Sequence, residues 1–277
     1  MEGHWIRLNR LFADGKRAVI VAADHGMFIG PIEGISDLPA AIEAWREADG
    51  ILLTPGMLRC CGHAFSYRGA PMCILRLDWS TVFGARWGFA GAEPCGIITP
   101  DEALAMGADI GIATFTVTMS DERLDRLNME HFARLVAAKR TCGLPLIGEL
   151  FPVHSDDLTA EQLFQVVHIG CRMLAELGAD VIKTYFTGER FAETVAACPV
   201  PILVLGAEKM PTEVGALEMA QRAIRSGARG VVFGRNVFQA RDPRAMISAL
   251  RAVVKEDADP QEAAAAGKLL GPQRDGG

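Results

Sequence analysis

A lysine stands inside the apolar run of GADVIKTYFTG, residues 178–188. An unpaired ammonium in a strand interior is costly. Lys183 is therefore either a side chain snorkelling from a strand end to water or a nucleophile put there to react. Desolvation lowers a lysine's pKa and frees its amine to attack a carbonyl, the opening step of Schiff-base catalysis. Proton transfers on the carbinolamine and on a substrate hydroxyl must follow, and a nearby carboxylate can serve. Asp24, in VIVAADHG, is such a carboxylate. Its plainer reading is a turn residue before His25 and Gly26, and His25 reads first as a structural hydrogen-bonding residue and second as a catalyst.

Arg76 and Asp78 share a strand face, with an ion pair as their default reading and substrate contact second. Gly234-Arg235-Asn236 has another character. Glycine lets backbone N–H groups approach an anion, a following helix start favours negative charge, and arginine adds a fork. The six histidines, at 4, 25, 63, 131, 154 and 168, form no HxH, HxxH or HxxxH pair, so no metal is expected. Neither a Walker loop nor a GxSxG elbow occurs, and no cofactor is expected.

Elements able to position these residues recur along the chain. Apolar runs of strand character span 18–23, 50–54, 72–77, 109–117, 145–150, 180–184, 201–205 and 230–233. Helical segments between them include 38–48, 121–140, 159–177, 211–226 and 243–255, with Ser155 to Thr159 supplying N-cap chemistry and Gly178 a helix stop. Eight strands alternating with helices predict a (β/α)8 TIM barrel, an α/β fold whose chemistry gathers at strand C-terminal ends. A doubly wound sheet is the rival, but its GxGxxG turn is missing. Strand one then ends at Asp24, strand five at Glu149 to Pro152 and strand six at Lys183. Strand seven runs into Gly206-Ala207-Glu208-Lys209, and strand eight into Gly234-Arg235, where barrels frequently bind phosphate. The Gly- and aromatic-rich stretch 79–95 is a lid or a surface excursion. Residues 1–257 read as one barrel domain and 258–277 as a C-terminal tail, frayed from Ala263 to Gly277.

Composition narrows the function. The chain has 277 residues, half of them hydrophobic, and a net charge of −6, so no field for nucleic acid or anionic lipid is present. No apolar run approaches roughly 18 residues, so no membrane span is expected, and MEGHWIRLNRLF lacks a signal-peptide apolar core. Seven cysteines without CxxC spacing read as reduced thiols of a cytoplasmic protein.

VIVAADHGMFIGPIEGI (19–35), GADVIKTYFTG, CPVPILVLGAEKMP (198–211) and GARGVVFGRNVFQARDP (227–243) together resemble lysine-dependent aldolases of the DeoC and archaeal-type class I fructose-bisphosphate aldolase family. That family includes 2-amino-3,7-dideoxy-D-threo-hept-6-ulosonate synthase. The resemblance covers residues 8 to 256. It implies Lys183 as imine-forming nucleophile, Asp24 as a carboxylate assisting at the imine, and Gly206, Gly234 and Arg235 as a phosphate cradle. It also implies a phosphorylated carbonyl substrate and a homo-oligomer, pentameric or decameric.

The chain departs from the family pattern in three places. Phe151 and Val153 stand where the family commonly has the tyrosine and arginine of a Tyr-Pro-Arg-Gly turn, and Ala207 replaces the second glycine of a pair. A phenyl ring has no exchangeable proton, so Glu149, one pleat deeper on the same face, is the expected replacement acid and His154 the second choice. The plainer reading pairs Glu149 with an arginine such as Arg76. DHGMFIGP, GMLR, IKTYF and ALEM also resemble the acetyl-transferring thiolase that processes phosphorylated autoinducer-2, which leaves a coenzyme A-dependent acyltransferase as one alternative. A non-catalytic sugar-phosphate-binding barrel is another.

Overall fold

The computed structural model describes residues 2–13 and 16–270 and, of Ala85 and Arg86, the backbone alone. Eight parallel strands close into one barrel. They are β1 (Ala18–Ala22), β2 (Gly50–Leu53), β3 (Met72–Arg76), β4 (Ile110–Phe115), β5 (Leu146–Leu150), β6 (Val181–Thr184), β7 (Ile202–Leu205) and β8 (Gly230–Phe233). Each hydrogen-bonds to its two neighbours, and β1 meets β8 to complete the ring. The expected TIM barrel is therefore the observed fold, with every strand but β8 shorter than its apolar run because the run ends leave the ladder.

Strand alternation divides the core in two. Val19 and Val21 point outward to the helices, while Ala18, Ile20 and Ala22 point inward with Met72, Ile74, Ile110, Ile147 and Val181. Helices sit tightly on the outer face where a side chain is missing: a Cβ on Gly148 would stand 2.8 Å from Leu174 Cδ2. The helix Ala160–Leu177 starts at a capping box between Thr159 and Gln162 and ends at left-handed Gly178, as its sequence foretells. The expected helix over 38–48 is instead a four-residue α-turn, Leu38–Ala41, running into a 3-10 segment, Ile42–Trp45.

Two features of the lower rim lie outside the elements expected from the sequence. The helix Glu2–Leu11 lies across the barrel bottom, and Leu8, Leu11 and Phe12 join the inner core. Aspartates just before β2, β4 and β6 staple the ladder: Asp49 accepts from Val19 N at 2.7 Å, Asp109 from Cys73 N at 3.0 Å and Asp180 from Leu146 N at 2.7 Å. Each also meets a cation, Lys255 at 2.6 Å, Arg10 at 3.0 Å and Lys139 at 2.5 Å respectively.

The proposed tail needs correction. Residues 260 to 266 form a helix capped by Asp259, and Ala263, Ala264 and Leu269 are buried, because alanines at helical spacing pack on the preceding helix. Residues 271–277 of that tail lie outside the described residues. No helix among the described residues is long and apolar enough to cross a membrane.

Candidate active site

Toward the C-terminal ends of the strands, the inward positions change from apolar to charged. One step along the same face takes Ala22 to Asp24, Ile74 to Arg76, Ile147 to Glu149 and Val181 to Lys183. All four charged side chains are buried, Lys183 at 6% exposure and the others lower. Such a layer persists only if each charge meets its opposite, and the geometry supplies this. Arg76 donates to Asp24 Oδ2 from Nε at 3.0 Å and from Nη2 at 2.7 Å. The same Nη2 reaches Glu149 Oε2 at 2.5 Å, and Nη1 donates to Thr114 Oγ1 at 3.1 Å. Lys183 Nζ pairs with the other oxygen of Glu149, Oε1. The β5–β6 register sets this pair directly, since Glu149 lies opposite Lys183. Asp78 closes the far side of the guanidinium at 3.5 Å and accepts from Thr114 N at 2.8 Å.

The electrostatics follow from this packing. Burial pushes the Asp24 and Glu149 carboxyls up, but Arg76 and Lys183 outweigh it and hold both below the ordinary carboxylate value. Burial would lower the Arg76 pKa, and Glu149 and Asp24 raise it instead. His25 differs. Burial pushes it down to about 4, against the opposing pull of Asp24, so its imidazole is neutral at pH 7. Its Nδ1 is buried without a hydrogen-bond partner, 3.8 Å from Asp24 Oδ1, and its ring stands edge-on to Phe238.

These groups floor a cavity of about 620 Å³. One wall is aromatic. Phe28 stacks on Phe83 with centroids 4.1 Å apart, both near the Arg76 guanidinium, and Phe83 continues to Phe151 and Tyr185. The stretch 79–95 thus contributes Val82 and Phe83 to the mouth from a segment held by a short antiparallel ribbon, 78–80 with 94–96. Trp79 and Trp87 do not line the cavity, and Trp87 is exposed.

Gly206, Ala207, Gly234 and Arg235 gather at one end of the cavity. A Cβ on Gly234 would lie 2.3 Å from His25 Cε1, so only glycine fits there. Ala207 has φ +48°, a left-handed conformation that costs a non-glycine residue about 1–2 kcal/mol. Arg235 is engaged by Glu208 and by the Ala207 carbonyl at 3.0 Å. The helix after Gly234 has only four residues, which removes most of the dipole contribution expected of it. Asn236 holds the loop in shape, donating to Gly206 O at 2.8 Å and Glu208 O at 3.0 Å while accepting from Met210 N.

The structure brings Lys183, Asp24, Glu149 and His25 together and sets the expected phosphate residues beside them. His154 lines the same cavity from its rim, half-exposed and left-handed at φ +47°, with Asp157 at 4.0 Å. Glu149 makes the pair with Arg76 that its plainer reading describes, and one with Lys183 as well. Thr114 and Tyr185 are not among the residues expected from the sequence, and Asn236 enters there only as part of the Gly234-Arg235-Asn236 turn. Tyr185 carried a signal, two residues beyond the lysine on the same face.

An amine beside two ionised carboxylates, at the floor of the cavity, is suited to carry positive charge both as ammonium and as iminium. The replacement of one cation by the other needs little reorganisation of the surrounding dipoles.

Comparison with known proteins agrees with this geometry. The family model for DeoC/LacD family aldolases matches residues 18–240. An uncharacterized aldolase of Saccharolobus solfataricus is 32% identical over 268 residues, 95% of this chain and 98% of that protein. A 3-hydroxy-5-phosphonooxypentane-2,4-dione thiolase of an Enterobacter species is 31% identical over 259 residues, 93% of this chain and 83% of the relative. Among solved structures, an archaeal fructose 1,6-bisphosphate aldolase superposes with a TM-score of 0.77 at 26% identity, covering 91% of this chain and 99% of the other. An archaeal aldolase with its catalytic lysine bound covalently to the carbinolamine intermediate gives 0.75 at 27% identity, with the same coverage. This chain belongs to the DeoC/LacD family of aldolases.

Proposed function

We propose that the protein is a class I, Schiff-base aldolase that makes or breaks a carbon–carbon bond in a phosphorylated ketose or related carbonyl compound. The observation that carries this reading is the buried Lys183 amine, flanked by Glu149 and Asp24 on the cavity floor. Lys183 passes a proton to Glu149 and attacks the carbonyl carbon, and Glu149 returns that proton to the carbinolamine hydroxyl, which departs as water and leaves an iminium. The iminium withdraws the electrons of the bond between the carbons α and β to it, and an enamine remains. Glu149 and Asp24, already ionised, stabilise the cation, and Asp24 assists proton transfer at the imine. His25, neutral with its Nδ1 unpartnered, is available to hydrogen-bond the substrate. Arg235 and the N–H groups around Gly206, Ala207 and Gly234 hold the phosphate.

The iminium is the electron sink, so the reaction is proposed to need no metal. Chelation with EDTA is expected to leave turnover unchanged. Cytoplasmic location is supported by seven free thiols. Homo-oligomerisation is supported by exposed Trp87 and Phe89 in the Gly- and aromatic-rich stretch.

The test is borohydride trapping followed by intact mass, with dihydroxyacetone phosphate, fructose 1,6-bisphosphate and pyruvate as probes. An adduct present in the wild type and lost in Lys183→Ala supports the reading, and no adduct from the folded protein contradicts it. A second reading, acyl transfer to coenzyme A, is favoured by the thiolase relative and by Phe151, which offers no hydroxyl on β5. Turnover that requires coenzyme A would select it.

A further inference from the structure

Cleavage or formation of a carbon–carbon bond also requires a proton to move at the hydroxyl on the carbon β to the iminium. Glu149 is poorly placed for that exchange, because one oxygen pairs with Arg76 and the other with Lys183. Asp24 Oδ2 accepts two hydrogen bonds from Arg76. His154 lines the cavity only at its rim, where it is half-exposed and turned to Asp157 at 4.0 Å. We propose that Tyr185, relayed by Ser155, is the catalytic acid and base at the β-hydroxyl of the substrate, an inference that rests on the Schiff-base reading of Lys183.

Tyr185 follows Lys183 by two residues, so strand alternation turns both toward the same cavity, which both line. Its hydroxyl is 3.0 Å from Ser155 Oγ, and Ser155 is itself on the cavity wall. The ring is held against Phe151, with centroids 5.4 Å apart, and Phe151 in turn packs on Phe83 at 5.1 Å. Since Glu149 pairs in register with Lys183, Phe151 and Tyr185 form the next layer outward, where the part of a substrate beyond the imine must lie. Burial raises the phenol above its ordinary value, so it is protonated and able to donate.

In condensation, the enamine carbon attacks the aldehyde carbon. The enamine nitrogen becomes the iminium, and the aldehyde oxygen takes the Tyr185 proton, which solvent replaces through Ser155. In cleavage, the β-hydroxyl gives its proton to Tyr185 as Tyr185 releases its own through Ser155 to water. The electrons of the broken bond neutralise the iminium.

The experiment uses whichever of dihydroxyacetone phosphate, fructose 1,6-bisphosphate or pyruvate traps on the wild type. Tyr185→Phe is expected to keep the trapped adduct and its melting temperature, while kcat for the carbon–carbon step falls about 10²–10⁴-fold with little change in KM. Ser155→Ala, which shortens the relay but leaves the phenol, is expected to lower kcat less. A Tyr185→Phe protein that traps normally and turns over within about threefold of wild type overturns the proposal. So does one that stays folded but loses the adduct, since that places Tyr185 at the imine step. No adduct on the wild type is a different result, because it removes the Schiff-base reading itself.

Discussion

The lower and upper halves of the barrel interior are built by the same strands with the same alternation, yet their chemistry is opposite. Below, Ile20, Ile74, Ile147 and Val181 fill the barrel, and Leu8, Leu11 and Phe12 of the N-terminal segment close it. Above, about 7 Å further along each strand, the inward positions carry Asp24, Arg76, Glu149 and Lys183. The lower half gains stability from burying apolar surface and can be sealed completely. The upper half forgoes that gain to hold charges whose desolvation is repaid only by mutual pairing. The difference shows where the fold is maintained and where the chemistry is done.

The sharpest way to break the comparison, after loss of Lys183 itself, is to remove one member of the charged layer. Arg76→Met leaves Asp24 and Glu149 with a single cation between them. It is expected to destabilise the fold by about 3–5 kcal/mol, the scale of an uncompensated buried charge, as read by denaturant melts. Turnover should fall with it. Leu11→Ala perturbs only the seal. It is expected to cost about 2–5 kcal/mol while kcat for the folded fraction is retained, and a loss of borohydride trapping would show that the halves are coupled.

Acidification separates the layers more gently. His25 titrates near 4 when folded and near 6.5 when unfolded, so between those values the unfolded chain binds more protons. Stability should therefore fall as pH drops from about 6.5 to about 4, by on the order of 3 kcal/mol at most, and His25→Gln should flatten that slope. Asp24 and Glu149, held below the ordinary carboxylate value, contribute stability that is complete above about 4.5 and lost on further acidification.

Much of the upper half was legible because a charge interrupting an apolar strand is conspicuous: Lys183 in VIKT and Asp24 in VIVAAD stand out by type alone. The barrel was legible for the related reason that strands covered on both faces read as continuous apolar runs. Of the partners of Glu149, Arg76 was legible and Lys183 was not, because a carboxylate between two cations looks the same in sequence as one beside either. Tyr185, although on the lysine's face, was masked by the aromatics around it, and its place on the cavity wall and its hydrogen bond to Ser155 distinguish it from packing. The lower seal did leave a signal, apolar residues at 8, 11 and 12 with helical spacing. Charged neighbours within that short segment masked it.

The most direct test of the central claim is to map the borohydride-trapped adduct by peptide mass spectrometry. The modification is expected on Lys183 alone and absent in Lys183→Ala. An adduct on another lysine, or one that survives that substitution, would contradict the assignment of the upper layer as the site of imine chemistry.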